Sequence, residues 1–315
     1  MSSTKWTADD MPDLVGKVAV VTGANLGLGR EITKRLAEHN ATVVMACRTA
    51  SKGEATKKEL LNEIGEDKSL VVMTLDVSSL ESVKTFAKEF SSKYNKLDML
   101  VENAGVMALD PRGTSADGYE MQFATNHLGH FLLTKLLLPT LEKTEGSRVV
   151  TQSSLASYQC KGFNWDDIQA EKSYDLWKQY YMTKLCNVCF AKELNTRLQN
   201  AGKSNPTAYV AHPGVIIGNL QQNSRQSLFE KVVYAVFGLF QGTYETGARP
   251  ALYASSSPGA TPGAFYGPSG PIYYVSDVGG AHPGEVKPPP ISMDVEERRK
   301  LWELSEQLAD VKFTI

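Results

Sequence analysis

Tyr180 and Lys184 stand four residues apart in a stretch with helical patterning, so their side chains share one face of a helix. An ammonium close to a phenol favours the phenolate and draws the tyrosine towards the working pH. Such a tyrosine can give a proton to, or take one from, a carbonyl or alcohol oxygen. Tyr181 is adjacent, but only Tyr180 stands four before a lysine. The same pair is also what a decorated helix surface carries. Ser153 and Ser154 follow the apolar run Arg148 to Thr151. A hydroxyl there could hold a substrate oxygen against Tyr180, or simply make a serine turn. Asn126 lies inside a long apolar helical stretch, where a buried amide needs partners. It is either a satisfied structural residue or part of a polar relay.

A second kind of chemistry is carried by Lys17 to Arg30, KVAVVTGANLGLGR. Val18 to Val21 read as a buried parallel strand, and Glu31 to Ala37 as a helix. Between them Gly23, Gly27 and Gly29 keep a T-G-x-x-x-G-x-G spacing. A strand passing through a glycine turn into a helix offers free N–H groups and the positive end of a helix dipole, a place for a pyrophosphate. A Cβ there would block the phosphates or strain the turn. The next strand ends at Cys47 and Arg48, where NAD-preferring folds place an acidic residue for the ribose 2′-OH. Arg48 and Lys52 could instead pair with a 2′-phosphate, or be two solvated charges at a helix start. The favoured expectation is NADP(H). Asp76, after the third strand, could meet an adenine amino group or cap the helix that begins near Ser79. Asn103, Ala104 and Gly105 either let the backbone approach a ribose or make a tight turn.

Other reactive residues read as structural. Cys186 and Cys189 form C-x-x-C on one helix face, with no second Cys or His pair at metal-site spacing, so they are expected to be core cysteines. His127, His130 and His212 have no metal-site pattern either, and no metal is expected.

The elements that must position these residues alternate along the chain. Apolar runs at Thr42–Ala46, Leu70–Leu75, Leu97–Val101, Arg148–Thr151 and Ala208–Ala211 are separated by helical patterns at Ser51–Ile64, Leu80–Tyr94, Tyr119–Leu141 and Tyr174–Asn200. The alternation predicts an α/β fold, a single doubly wound Rossmann-type domain with a mostly parallel, seven-stranded sheet flanked by helices. Residues 1–16 read as a leader and 17–255 as the core, with a substrate lid over 219–244. Residues 256–315 read as an extension, irregular over the Gly/Pro-rich Ser257–Pro290 and closed by a helix over Met293–Leu308.

The chain has 315 residues and a formal net charge of -2, which gives no electrostatic reason to expect nucleic acid or an anionic membrane as partner. Four cysteines do not suggest a disulfide framework, which points to a reducing compartment. Met1 to Leu14 is polar and does not read as a signal peptide. Phe131 to Leu138 is interrupted by Lys135, so no run is long enough to span a bilayer. The expectation is a soluble cytoplasmic protein.

Taken together, Thr22–Gly29, Asn103–Ala104–Gly105, Asn126, Ser154, Tyr180-x-x-x-Lys184 and His212–Pro213–Gly214 resemble, in order and context, the short-chain dehydrogenase/reductase family. The likeness covers about Gly16 to Ser255. ACR after the second strand, NHLGHF in the long helix and the long gap from Ser154 to Tyr180 are similar to its retinol-dehydrogenase-like branch. The resemblance implies hydride transfer. Tyr180 would be the general acid/base, and Lys184 would tune it and bind the nicotinamide ribose. Ser154 would orient the substrate oxygen, and Asn126 would hold a water linking Lys184 to solvent. Gly23, Asn25, Leu26, Gly27, Leu28 and Gly29 would surround the pyrophosphate, Asp76 and Val77 the adenine, and Asn103, Ala104 and Gly105 the adjoining ribose. Pro213, Gly214 and Val215 would border the nicotinamide. A dimer or a monomer is compatible with the family.

Two residues depart from the family pattern. Glu102 stands where asparagine is usual, and a carboxylate at the end of a buried strand must find a partner or take up a proton. Gly218 stands near where the branch often has a threonine that holds the carboxamide, which leaves backbone groups such as those of Val215 or Ile217 for that task. Leu228 to Phe240, LFEKVVYAVFGLF, is apolar enough to wall a pocket for a lipophilic carbonyl or alcohol, or to serve as core or a subunit contact. Phe163, Trp165 and Trp177, in the insertion between Ser154 and Tyr180, could line the same pocket. The leading expectation is thus an NADP(H)-dependent oxidoreductase acting on a retinoid-, steroid-, lipid- or quinone-like substrate. The alternatives are a non-catalytic cofactor-binding sensor or scaffold, and a reductase of carbon–carbon double bonds.

Overall fold

The valine-rich runs become strands buried on both faces. Val18–Thr22 (β1) has every residue buried, and its side chains alternate between two cores. The computed structural model describes residues 6–216, 242–269 and 282–315. Within them, β1 is followed by Thr42–Cys47 (β2), Leu70–Thr74 (β3), Met99–Glu102 (β4), Arg148–Gln152 (β5) and Thr207–Ala211 (β6). Phe265–Ser269 (β7) and His282–Glu285 (β8) complete one sheet of order β3-β2-β1-β4-β5-β6-β7-β8. Val20 lies between Val44 and Leu100, and Val150 pairs with Tyr209, all in parallel register. The order reverses at β1, where the chain crosses from one half of the sheet to the other.

The sheet is largely parallel, as expected, but has eight strands among the described residues rather than seven. Both strands beyond β6 come from the Gly/Pro-rich segment expected to be irregular. Phe265 and Tyr266 pair in parallel with Val210 and Ala211, and β8 returns antiparallel to β7, with Pro283 on the edge strand where a missing N–H is tolerated. Tertiary pairing has overridden local composition.

Gly27–Glu38 (α1) and Ala50–Ile64 (α2) flank the sheet, as do Leu80–Lys93 (α3), Leu176–Asn200 (α5), Tyr244–Ser256 (α6) and Val295–Leu308 (α7). The remaining long helix, α4, changes register within itself: Met121–Phe123, a π turn over Ala124–Leu128, then Gly129–Lys143. One core holds Val20, Leu100 and Val149 against Val83 and Phe86 of α3, Phe131 of α4, Leu185 of α5 and Trp302 of α7. The other holds Val21, Val43 and Val101 against Ile32 and Leu36 of α1, Leu60 of α2 and Leu252 of α6, with Met11 and Leu14 of the leading segment. Each fully buried aliphatic or aromatic side chain contributes roughly 1.5–3 kcal/mol. Among the described residues, no helix is long and apolar enough to cross a membrane.

Candidate active site

The glycine turn is built as its spacing requires. Gly23 leaves β1 at φ +67°, and its N–H donates to Ala46 O at 2.9 Å. Gly29 permits the closest approach: a Cβ there would lie 2.2 Å from Gly23 O and 2.5 Å from the Asn103 amide nitrogen. Side chains cap α3 (Ser79), α4 (Glu120), α5 (Asp175), α6 (Thr243) and α7 (Asp294). The cap residues Leu26 of α1 and Thr49 of α2 make no side-chain cap hydrogen bond. Asn25, Leu26 and Leu28 line the mouth of the first of these helix ends, and Leu26 is exposed. Arg48 and Lys52 are exposed at the second.

Thr22 fastens the next strand end to this turn. Its hydroxyl oxygen accepts the N–H groups of Asn103 and Ala104, each at 2.9 Å, and the Asn103 side chain donates to Thr22 O at 2.9 Å. Asn103, Ala104 and Gly105 therefore sit beside Gly23 at the carboxyl edge of the sheet. Asp76 accepts the N–H and hydroxyl of Ser78, at 3.0 and 2.6 Å, while Ser79 caps α3. Its alternative reading as the helix cap thus falls to Ser79. Val77 is buried.

Asn126 occupies the π turn and is wholly buried. Its side-chain oxygen accepts Val106 N–H at 2.8 Å, and its amide donates to Val106 O at 2.9 Å and to Thr183 Oγ at 3.0 Å. It therefore joins α4, the loop after β4 and α5. A π turn inside an α-helix often marks a site where one residue is re-aimed. Lys184, also on α5, is 5% exposed, and its Nζ donates to Gln152 O at 3.3 Å. A Cβ on Gly105 would stand 3.1 Å from Asn126 Oδ1 and 3.4 Å from Lys184 Nζ, so the three meet around one point. Burial pushes the lysine ammonium down to about 8. The Tyr180 ring lies with its centroid 5.8 Å from Lys184 Nζ and edge-on to Trp177 at 6.3 Å. Ser153 is committed elsewhere: it donates to Lys184 O at 2.7 Å. Ser154 is half-buried, and its Oγ accepts Ala156 N–H at 3.2 Å. His212 closes the β6 end, with Nδ1 accepting Gly214 N–H at 3.1 Å, so that Pro213, Gly214 and Val215 form a half-buried turn there.

The polar residues from β1, β4, β5, α4 and α5 converge on this carboxyl edge. Gly218, Ile217 and the apolar Leu228–Phe240 lie outside the described residues, as does nearly all of the 219–244 lid. Two aromatic residues of the same insertion meet the last helix. The Phe163 and Trp165 rings meet at a tilt, with centroids 4.8 Å apart, and the Trp165 N–H faces the Glu297 carboxylate with Lys300 over its ring. Trp165 thus meets α7, and Trp177 lies beside Tyr180. Cys186 and Cys189 are buried, reduced core residues, and burial pushes both thiols up. Among the described residues, no group of His, Cys, Asp and Glu could hold a metal.

Glu102 finds its partners on the helix and the neighbouring strand. Thr134 donates to Oε1 and Thr151 to Oε2, the latter at 2.8 Å. Burial nevertheless outweighs these bonds and pushes the carboxyl up to about 7. His130, read from sequence only as structural, lies between Thr22 and the backbone of Asn126. No local spacing signals such a contact.

Residues 17–165 match the family model described as short chain dehydrogenase. Human retinol dehydrogenase 11 is 40% identical over 246 residues, spanning 78% of this chain and 74% of that protein. The crystal structure of an uncharacterised protein from Mycobacterium paratuberculosis superposes with a TM-score of 0.80 at 35% identity, covering 99% of this chain and 100% of that one. A Pseudomonas aeruginosa RhlG/NADP active-site complex shares the fold, with a TM-score of 0.63 at 22% identity over 83% of this chain and 98% of that one. The chain belongs to the short-chain dehydrogenase/reductase family, in its retinol-dehydrogenase-like branch, and is an oxidoreductase of alcohol and carbonyl groups.

Proposed function

We propose that the protein uses NADP(H) to interconvert a carbonyl and an alcohol on a hydrophobic substrate, with Asn126, Ser154, Tyr180 and Lys184 as its working residues. The observation that carries this reading is the joint geometry of the coenzyme edge. A glycine turn closed to a Cβ at Gly29 faces one helix start lacking a side-chain cap, and Arg48 and Lys52 stand at the other. The first fits a pyrophosphate and the second a 2′-phosphate. The nicotinamide coenzyme supplies the hydride chemistry when bound.

The chain's own residues handle the proton. Tyr180 delivers it to, or removes it from, the substrate oxygen. Ser154 has accepted the Ala156 N–H and turns its own hydroxyl proton to that oxygen. Lys184, whose burial pushes its ammonium down to about 8, stabilises a tyrosinate in a buried surrounding where such an interaction is strong. Asn126 holds the loop at Val106 and the helix at Thr183, which fixes the spacing between them. The hydrophobic substrate class rests on the composition of Leu228–Phe240 and on the likeness to a protein named retinol dehydrogenase 11.

The deciding assay follows absorbance at the nicotinamide band, with NADPH and NADH each run against aldehydes, ketones, quinones, steroids and retinoids. NADPH should be the more efficient coenzyme, and Arg48→Ala should raise its KM about tenfold while leaving that for NADH nearly unchanged. Equal use of both coenzymes by the wild type would overturn the 2′-phosphate assignment. Turnover of small polar carbonyls alone would overturn the substrate class.

A further inference from the structure

The Thr22 hydroxyl has two lone pairs and one proton. The N–H groups of Ala104 and Asn103 take both lone pairs, each at 2.9 Å, the latter N–H being shared with Val101 O at 3.1 Å. The proton is therefore left for His130 Nε2, which lies 2.9 Å away. An imidazole that accepts at Nε2 and is neutral must carry its hydrogen on Nδ1. That nitrogen faces the main-chain oxygen of Asn126 at 3.3 Å. The ring is 1% exposed, and burial pushes it down to about 4, which favours the neutral form.

The two other buried histidines are arranged the opposite way. His212 Nδ1 accepts the Gly214 N–H, which puts its hydrogen on Nε2. Ser305 gives its proton to Leu301 O at 2.7 Å, so it accepts from Nε2 of His127 at 2.8 Å. His130 is thus the odd tautomer of the three, and its partners decide why. One is the hydroxyl that fastens the glycine turn to Asn103 and Ala104. The other is the carbonyl of the residue at the centre of the π turn. In that turn the Gly129 N–H reaches Ala124 O, five residues back, so carbonyls there are displaced from the ordinary helical ladder.

We propose that His130 is a positioning residue that ties the coenzyme turn to the backbone of the catalytic helix at Asn126, through a Thr22–His130–Asn126 hydrogen-bond chain of fixed direction. The proposal rests on the function given above. Through this chain a shift of the glycine turn is felt at the Asn126 carbonyl, and through the Asn126 side chain at Val106 and Thr183. Coenzyme binding and proton transfer would then share one rigid strut.

Two measurements test it. In the holo-independent one, the protein is labelled with 15N-histidine, and ring nitrogen shifts report the tautomers. His130, identified by its loss in the His130→Gln variant, should show Nδ1–H, and His127 and His212 should show Nε2–H. An Nε2–H tautomer at His130 would overturn the proposal. In the second, His130→Phe keeps ring volume but leaves Thr22 Oγ and Asn126 O without this partner, whereas His130→Gln can accept and donate across the same gap. The Phe variant should lose about tenfold or more in both NADPH affinity and kcat, and the Gln variant should regain most of each. Wild-type values in the Phe variant, or an equal loss in both variants, would overturn it. Absence of any carbonyl turnover in the wild type would instead defeat the proposed function, and the tautomer and NADPH affinity would still decide the strut.

Discussion

β4 carries a carboxylate at each end, and the two are held in opposite ways. Asp98, just before the strand, has a side chain only 5% exposed, yet it meets Lys17 Nζ at 3.0 Å and Lys96 Nζ at 3.1 Å and accepts Val18 N–H at 2.9 Å. Both ammonium groups are open to water, beside a surface cleft of about 420 Å³ lined by Lys17, Lys96, Asp98, Lys143, Thr144 and Glu145. Glu102 is just as buried, but its partners are two threonine hydroxyls. The amino end of the sheet is a wet ionic staple. At the carboxyl end the buried links are hydroxyls, an amide and an imidazole. There burial moves Glu102 up to about 7 and Lys184 down to about 8, and both shifts follow from desolvation of the charged form. Where burial shifts both groups one proton is consequential, and the candidate site lies at that end.

The sharpest way to break this contrast is at Tyr180. Tyr180→Phe should lower kcat by about 10³-fold while NADPH still binds, because only the proton donor is removed. Retained turnover would take Tyr180 out of the mechanism. Gly29→Ala comes next. The added methyl group would press on the backbone carbonyl of Gly23, which has no side chain to move aside. The coenzyme Kd should rise roughly a hundredfold, from about 3 kcal/mol of overpacking. Fluorescence titration with NADPH checks this, and unchanged affinity would show that the turn can yield.

Much of this edge is legible from sequence, for a physical reason: glycines, strand-end polar residues and the Tyr180–Lys184 pair act through short spacings. β1 to β6 announce themselves by apolar runs too long to face water. What escapes the sequence acts across long separations. Phe265–Ser269 is a strand only because β6 lies beside it, and FYGPS has no strand signature of its own. The π turn at Asn126 has the composition of an ordinary helix, and its register is set by Val106 and Thr183. His130 looks structural until Thr22, 108 residues earlier, is seen to face it. Trp165 meets Glu297 of α7, 132 residues further on, a contact that its own neighbourhood in sequence does not announce.

The two carboxylates themselves give smaller effects with different pH dependence. Because Glu102 holds its proton more tightly when folded than when unfolded, its contribution to stability is full below about pH 4.5 and is lost as the pH rises through about 7. Between pH 5 and 7.5 the wild type should therefore lose about 2–3 kcal/mol relative to Glu102→Gln, which has no proton to release. Urea melts at the two pH values measure this, and parallel curves for both proteins would show that Glu102 stays ionised through the range.

Asp98→Asn should be the mildest change. The amide can still accept the Val18 N–H, and Lys17 and Lys96 are 44% and 39% exposed, so each ammonium returns to water once its partner's charge is gone. The loss should be about 1–2 kcal/mol, shrinking as salt is raised, with kcat and NADPH affinity untouched because the whole length of β4 separates it from Lys184. Urea melts at low and high salt read the first part, and the nicotinamide assay reads the second. A fall in kcat on Asp98→Asn would mean that the strand transmits strain from end to end, and the separation of a structural amino edge from a chemical carboxyl edge would no longer hold.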